Sequence, residues 1–138
     1  MNYAKPRTDI KTIEDFKAEC PFCNPEGFKS RDHFIFETKY FYFAYDEMPV
    51  CEGHCLLICK KHIRTEKGVM EYKNSKLAKD YIKASIKAYE FMYRNYGDSI
   101  IYIHTPKLQS VFHFHKHYVP DRDFKISAVK RGLKMQLV

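Results

Sequence analysis

Three histidines occupy alternate positions in one short segment of the chain: His113, His115 and His117, within QSVFHFHKHYVP (residues 109–120). Successive side chains of an extended strand point to opposite faces, so these imidazoles share one face while Phe114 points to the other. Imidazole has an unperturbed pKa of about 6.5, which lets it act as a nucleophile, acid, base or metal ligand near neutral pH. The spacing therefore predicts a strand with one chemical face, against the alternative of three solvated histidines.

Two cysteines separated by two residues form a second group that can do chemistry: Cys20 and Cys23, in CPFC. Two thiolates at this spacing can bind one tetrahedral zinc ion, which then requires two more ligands from elsewhere in the chain. The alternative is a pair of unliganded thiols in a turn, since a single Cys-x-x-Cys is a weak signal. The spacing alone leaves both interpretations open.

The remaining cysteines favour a reduced, intracellular protein. The chain has five cysteines, an odd number, and its first residues lack the apolar segment of a secretory signal. A disulfide framework is therefore a poor explanation for them. Cys55 and Cys59 share a face with Leu57 in the apolar run HCLLICK, and buried cysteine behaves as a small hydrophobic residue. We expect both cysteines in the core.

Composition indicates a soluble, cytoplasmic domain without a membrane partner. The 138 residues suit one domain, 1–138, and the hydrophobic content of 45% with 16% aromatic residues favours a folded chain over a disordered one. No apolar run approaches the ~20 residues of a membrane span. The net charge of +7 suits a phosphate-bearing partner or simply a soluble surface. Basic residues near the end of the sequence are expected to be solvated rather than a nucleic-acid footprint: Lys125, Lys130, Arg131 and Lys134.

The elements that must position these groups differ in their apolar periodicity. A long amphipathic helix is predicted over residues 70–96, with Leu77, Tyr81 and Met92 on one face and Gly97 as its stop. Aromatic and alternating runs predict strands. The pattern predicts an α+β domain with a five-stranded, mainly antiparallel sheet, one long helix and a short N-terminal helix. The other predicted elements are a short helix at 10–19 and strands at 33–38, 40–47, 54–60, 99–105 and the histidine segment.

The run from His113 to Val119 resembles the histidine triad of the HIT family, whose pattern is His, apolar, His, apolar, His, apolar, apolar. A second stretch, YDEMPVCEGHCLLICKKHI (45–63), is similar to the family's Asp, Pro-containing turn, Gly-His pair, apolar strand and basic pair followed by His. The QSV before the triad also matches. The resemblance covers residues from about 20 to 120. It implies a HIT-like fold and a homodimer.

The resemblance also implies an activity. Members of the family are nucleotide-binding hydrolases and transferases that act at the α-phosphate. It implies that this chain cleaves a dinucleoside polyphosphate or a nucleoside phosphoramidate and releases a nucleoside monophosphate. His115 would be the nucleophile that takes the nucleotidyl group onto its ring nitrogen. Such a covalent intermediate splits one difficult step into two easier ones.

The resemblance assigns roles to further residues by their positions in its motifs. His113 completes the catalytic triad, and His117 would hydrogen-bond the phosphate or the leaving group. Ser110 and Gln109 would contact phosphate oxygens. Asp46 resembles the acid that holds the ribose hydroxyls. These roles describe a nucleotide bound along the histidine face.

Zinc is the cofactor that the resemblance implies. Some branches of the family bind zinc through a Cys-x-x-Cys pair, the histidine after the basic pair and the first histidine of the triad. The matching residues here are Cys20, Cys23, His62 and His113. The hypothesis is a structural zinc that ties the amino-terminal loop to the strand carrying the nucleophile.

Three residues depart from the family pattern and leave other functions open. Lys116 stands where the family has an apolar residue, which indicates that the packing face is partly exposed or lies at a dimer edge. Tyr102 and Leu108 stand in the approach to the triad, where many relatives have Asn and glycines. The alternatives are a catalytically weak nucleotide or nucleic-acid binding module, or a nucleotidyltransferase with an acceptor other than water. His33, His54 and His104 are expected to be at the surface or hydrogen-bonded locally.

Overall fold

A computed structural model describes residues 20–23, 33–109 and 111–121 and contains a five-stranded sheet with a long helix packed on one face. The strands are β1 (Phe34–Glu37), β2 (Phe41–Tyr45), β3 (Cys55–Cys59), β4 (Ser99–Tyr102) and β5 (His115–Pro120). The helices are α1 (Glu66–Met70) and α2 (Lys76–Tyr96), and short 3-10 turns occur at Pro21–Cys23, Lys73–Ser75 and Pro106–Leu108. The predicted helix at 10–19 lies outside the described residues.

The strand order is β1-β2-β3-β5-β4, and every neighbouring pair is antiparallel. The predicted α+β fold with a five-stranded antiparallel sheet and one long helix is confirmed. β5 enters between β3 and β4, so both of its edges are paired. A strand with both edges paired has its backbone held by two ladders, and side chains on β5 therefore have well-defined positions.

The long helix α2 begins later than its apolar pattern predicts. Asn74 and Ser75 have φ of 45° and 60°, in the left-handed region, and this kink separates α2 from the short helix α1. The side chain of Thr65 caps α1 by accepting a hydrogen bond from the N–H of Gly68. At the other end, Gly97 stops α2 as predicted, with φ of +79°. α2 covers the sheet with its buried residues Leu77, Ala78, Tyr81, Ala84, Ala88 and Met92.

The two faces of the sheet differ in what covers them. The face under α2 holds the main apolar cluster, which includes Cys55 and Cys59, both 0% exposed, as predicted for core cysteines. The opposite face carries a smaller cluster around Tyr42, Leu56 and Ile58. Across the β3–β5 pairing, Leu56 is opposite His117 and Ile58 is opposite His115. Directly opposite residues share a face, so these two histidines lie away from α2.

Lys116 lies on the helix side of β5 and is half-buried. Its Nζ donates a hydrogen bond to Ser85 Oγ at 2.9 Å and lies 4.6 Å from the ring centroid of Tyr81. Burial lowers the pKa of the Lys116 ammonium. The departure from the family pattern is therefore accommodated by a hydroxyl and an aromatic face on α2.

No helix in the described ranges combines the length and the apolar character that crossing a membrane requires.

Candidate active site and metal cluster

The three triad imidazoles are buried: His113, His115 and His117 are 0%, 5% and 8% exposed. This burial excludes three solvated histidines. β5 begins at His115, so His113 lies just before the strand rather than in it. The ring centroids of His115 and His117 are 5.0 Å apart. Each of the three rings has one nitrogen held by a neighbour, and those neighbours decide what the other nitrogen can do.

His115 is held through its Nδ1 atom, which lies 2.7 Å from the backbone carbonyl oxygen of His113. A carbonyl oxygen only accepts, so Nδ1 carries the proton and donates it. In the neutral ring, Nε2 then carries the lone pair. Burial lowers the pKa of His115 below its ordinary value, which keeps the ring neutral near pH 7. A neutral imidazole with an available Nε2 lone pair is equipped to act as a nucleophile.

His117 is held through its Nδ1 atom. Its Nδ1 lies 2.9 Å from Nε2 of His54, and its own Nε2 is buried without a hydrogen-bond partner among the described residues. Tyr102 lies opposite His117 in the β4–β5 pairing, and the two rings stack at 4.5 Å with an angle of 6°. His104 packs edge-on against His117 at 5.1 Å. The ring plane of His117 is therefore fixed from three sides.

His54 is part of this site, although its sequence context indicated a histidine that is bonded only locally. It is 2% exposed and lies between His117 and Asp46, whose Oδ2 is 3.4 Å from His54 Nε2. The signal that could have found it is its parity: His54 is two residues before Leu56, which is opposite His117. Asp46 itself is anchored by the N–H of Met48, which donates to Oδ1 at 2.9 Å.

The four predicted metal ligands come together. Nδ1 of His113 lies 3.3 Å from Sγ of Cys20, 3.5 Å from Sγ of Cys23 and 3.2 Å from Nδ1 of His62. Sγ of Cys23 lies 3.0 Å from Nδ1 of His62. Donor atoms on a tetrahedral zinc ion are separated by about 3.3–3.8 Å, given bonds of about 2.3 Å to sulfur and 2.0–2.1 Å to nitrogen. The cluster has the donor types, the number and nearly the spacing that zinc requires.

The outer contacts of His113 also fit a metal ligand. Its Nε2 donates to the backbone carbonyl of Cys59 at 2.5 Å, so Nδ1 is left with the lone pair and faces the thiols. A ligating histidine commonly donates its second N–H to a carbonyl in this way. Burial lowers the pKa of His113 to about 4 and raises the pKa of the Cys20 thiol to about 12. A cation in the cluster would replace the thiol protons.

Phe22 connects the group of four candidate metal ligands to His115. Its sequence context did not indicate this role. It lies between the two cysteines of CPFC, and its ring packs edge-on against His115 at 4.9 Å. The hydroxyl of Tyr42 donates a hydrogen bond to the carbonyl of Phe22, and the N–H of Cys23 donates to the carbonyl of Cys20. The turn that brings the thiols to His113 thus also places an aromatic ring against His115.

The approach to the triad is fixed by Arg64. Its Nε donates to Oε1 of Gln109 at 3.0 Å, and Nε2 of Gln109 donates to the backbone carbonyl of Arg64 at 2.7 Å. Both ends of the buried Gln109 amide are engaged, so a phosphate contact through this side chain stays a prediction. The guanidinium also lies 4.2 Å from the ring centroid of Phe112. Ser110 lies outside the described residues, and its predicted role is untested.

Comparisons with known proteins place the chain in one family and identify its fold. The family model described as HIT domain matches residues 28–124. Among curated protein sequences, none matches the chain significantly. The fold is similar to that of a HIT family hydrolase from Clostridium thermocellum, with a TM-score of 0.61 and 24% identity over 78% of this chain and 94% of that one.

Two further solved structures share the fold. A member of the HIT family from Bacillus subtilis has a TM-score of 0.62 and 22% identity, over 87% of this chain and 98% of that one. A Zn-bound histidine triad family protein from Mycobacterium smegmatis has a TM-score of 0.61 and 22% identity, over 88% of this chain and 82% of that one.

Proposed function

Because this chain belongs to the HIT family, we propose that it is a nucleotide-binding hydrolase that cleaves at the α-phosphate and releases a nucleoside monophosphate. The observation that carries the proposal is the state of His115. Its ring is buried and neutral, and its Nδ1 proton is held by a carbonyl, which leaves the Nε2 lone pair for attack. The proposed substrates are dinucleoside polyphosphates and nucleoside phosphoramidates.

The proposed reaction has two steps. In the first, Nε2 of His115 forms a bond to the α-phosphorus, and the bond from phosphorus to the leaving group breaks with its electron pair. In the second, water attacks the same phosphorus and loses a proton to the solvent, the bond to His115 breaks with its electron pair returning to Nε2, and the nucleoside monophosphate is released. His117 hydrogen-bonds the phosphate or the leaving group, and Asp46 holds the ribose hydroxyls. His113 orients the nucleophile through the carbonyl that accepts from His115.

We also propose that zinc is bound by Cys20, Cys23, His62 and His113, as the donor set and its spacing support. A bound zinc would stabilise two thiolates against one another in a buried site and would hold the amino-terminal turn to the segment before β5. Its role in this proposal is structural. The turn between Cys20 and Cys23 would then hold the Phe22 ring against His115.

A homodimer is proposed as the assembly, with α2 in its interface. The helix exposes a row of large apolar side chains at helical spacing: Ile82, Ile86, Tyr89 and Tyr93. β4 is an edge strand of the sheet and exposes Ile101. A second copy that covers this surface would bury both features. Light scattering should give a dimer mass for the wild-type protein and for Lys83→Glu, and a monomer for Ile86→Glu; an unchanged dimer in Ile86→Glu would contradict this interface.

A second candidate function is a nucleotide-binding module with little turnover. The observation that favours it is the packing around His117, where Tyr102 covers one ring face and His104 contacts its edge. Both rings therefore pack against the imidazole that would meet the leaving group. Such a module should bind nucleotide tightly and release no product.

Turnover measured on two substrate types distinguishes these functions. A diadenosine polyphosphate and an adenylated amine are incubated with the wild-type protein, with His115→Asn, and with His33→Asn as a histidine control outside the site. We expect adenosine monophosphate from the wild type and the control, and none from His115→Asn. Equal release by His115→Asn would contradict the mechanism, and binding without release by the wild type would favour the module.

A further inference from the structure

Arg64 joins two segments that each supply one of the predicted metal ligands. Its Nε donates to Oε1 of Gln109 at 3.0 Å, and its Nη2 donates to the backbone carbonyl of Pro106 at 3.0 Å. Its guanidinium carbon lies 4.2 Å from the ring centroid of Phe112. In return, Nε2 of Gln109 donates to the backbone carbonyl of Arg64 at 2.7 Å. One side chain therefore contacts three residues of the segment that leads into β5.

The ligands that these two segments supply are His62 and His113. Arg64 follows His62 by two positions in the chain. The Nδ1 atoms of the two imidazoles lie 3.2 Å apart. Next to them, the N–H of Phe114 donates to the backbone carbonyl of Ile63 at 2.6 Å. The contacts of Arg64 thus join the same two stretches of chain that hold the imidazole pair.

The regular sheet pairing ends before it reaches these two imidazoles. His62 lies three residues beyond the end of β3, and His113 lies two residues before the start of β5. The last register pair between the two strands is Ile58 opposite His115. The separation of the imidazoles therefore depends on contacts outside the ladder, which include those of Arg64.

We propose that Arg64 is a positioning residue that clamps these two segments together and so presents His62 and His113 to a metal ion as a preformed pair. This proposal rests on the proposed zinc site. A metal ion whose ligands are already held at the required separation loses less affinity to the ordering of the chain that carries them. The expected consequence is a zinc affinity that depends on a side chain that does not touch the metal.

Gln109 makes the clamp sensitive to the loss of Arg64. Gln109 is 2% exposed, and both ends of its amide are paired with Arg64. Loss of the guanidinium would leave the buried Oε1 without this donor, which is unfavourable for a buried polar atom. We expect the segment to shift towards another partner and to carry His113 with it.

Charge alone predicts no such loss of affinity. A zinc ion that replaces two thiol protons leaves the net charge of its ligand set unchanged, so a neighbouring guanidinium has little effect on the exchange. Arg64→Lys keeps the charge but lacks the planar fork that serves two acceptors and covers an aromatic ring. This variant therefore separates positioning from electrostatics.

The test is the zinc dissociation constant of the full chain, measured at fixed pH by competition with a chromophoric chelator. We expect Arg64→Met to bind zinc about tenfold more weakly than the wild type, within the range typical of groups that orient metal ligands. Arg64→Lys should weaken binding to a similar extent. Arg94→Met is the matched control, since it removes an exposed guanidinium from the last turn of α2 and should keep the wild-type constant.

A double-mutant cycle connects the effect with the contact itself. Gln109→Leu removes the partner at similar volume and should weaken zinc binding as Arg64→Met does. The double variant should bind zinc no more weakly than the weaker single variant, because both substitutions break the same contact. Two fold-changes that multiply in the double variant would contradict a clamp between these residues.

Folding is checked by the melting temperature of each metal-free variant. A structural role without positioning would lower this temperature and leave the zinc dissociation constant of the folded chain unchanged, which would contradict the inference. If Arg64→Met does not fold, Arg64→Lys and Gln109→Leu still decide the question against the wild type.

Wild-type zinc affinity in Arg64→Met and Arg64→Lys would overturn the inference and leave the proposed zinc site intact. A wild-type chain that binds no zinc would contradict the proposed zinc site and the inference together. The two failures are distinguishable, because only the first is observed with a zinc-loaded wild-type protein.

Discussion

His113 and His117 lie at equal distances along the chain from His115, yet their surroundings differ. Nδ1 of His113 faces two thiols and the imidazole of His62, all within 3.5 Å. Among the described residues, the hydrogen-bond partner of Nδ1 of His117 is Nε2 of His54. We call the first set, His113 with the two thiols and His62, the metal end. We call the second set, His117 with His54 and Asp46, the substrate end. The two histidines differ in what lies around their ring nitrogens: Nδ1 of His113 joins three other candidate metal donors, whereas Nε2 of His117 has no hydrogen-bond partner among the described residues.

The two ends differ in which parts of the chain supply their residues and in how exposed those residues are to solvent. At the metal end, Cys20 and His113 are 93 residues apart in sequence, and four soft or borderline donors converge on one point. That arrangement is typical of a closed structural site. At the substrate end, Asp46 is 17% exposed and Nε2 of His117 has no partner among the described residues. A carboxylate that solvent can reach and a buried ring nitrogen without a described partner support the proposed nucleotide site.

Among variants confined to one of the two ends, the largest effect should come from His117→Gln. We expect kcat to fall by about 10²–10³, since a donor to the leaving group or phosphate is lost in the transition state. Zinc content and the melting temperature should remain those of the wild type, because His117 has no contact with the metal end. The measurement is turnover together with metal analysis on the same sample. Loss of metal in this variant would show that the two ends are not separable.

Cys23→Ser should have the converse effect. We expect the bound zinc to be lost and the melting temperature to fall by about 10 °C, for a loss of roughly 3 kcal/mol of stability. Metal analysis and calorimetry measure both effects. Cys51→Ser, a cysteine outside the cluster, is the matched control and should retain its metal. If the protein as purified holds no metal, or if Cys23→Ser keeps it, the metal end is wrongly assigned.

The fold, the shared face of His115 and His117, and the grouping of the two cysteines with His62 and His113 were predictable because they follow from regular spacing and motif positions. Alternation revealed the triad, and a two-residue gap revealed the thiols. His54 was missed because it is an isolated histidine after a turn, and only the β3–β5 register shows that it meets His117. Phe22 was missed because its role depends on where the cysteine turn folds back. Register and long-range docking are tertiary properties that local spacing does not contain.

Boundaries were less predictable than elements for a related reason. The apolar pattern of the long helix continues into residues 70–75, but the left-handed conformations of Asn74 and Ser75 interrupt it. Neither residue type requires that conformation, since both also occur in ordinary helices and turns. The observed contact at this boundary is local: the N–H of Lys76, the first residue of α2, donates to Oδ1 of Asn74 at 3.3 Å.

Asp46→Asn should have a moderate effect that is confined to the substrate end. We expect KM for the nucleotide to rise by about tenfold, since a hydrogen bond from a hydroxyl to a charged acceptor contributes about 1.5–3 kcal/mol. Steady-state kinetics measure it, with Glu47→Gln, the exposed neighbouring acid, as the control. An unchanged KM would mean that Asp46 supports His54 and does not touch the ribose.

The smallest effect is expected at Tyr102, which stacks on His117. Tyr102→Phe keeps the ring and should change kcat by less than about twofold, whereas Tyr102→Ala removes a stacking contact of about 0.5–1.5 kcal/mol and should lower kcat by about two- to tenfold. The comparison of the two variants isolates the ring from the hydroxyl. A higher kcat in Tyr102→Ala would show that the ring obstructs the leaving group and would favour the weak binding module.

The central claim is that His115, between the two ends, forms a covalent bond to the nucleotide. The most direct test is the intact mass of the chain, quenched rapidly without acid after mixing with an adenylated amine or a diadenosine polyphosphate. A nucleotidyl adduct should be present on the wild-type protein and absent from His115→Asn. An adduct of equal amount on His115→Asn, or product release by the wild type without any adduct on the time scale of turnover, would contradict the account.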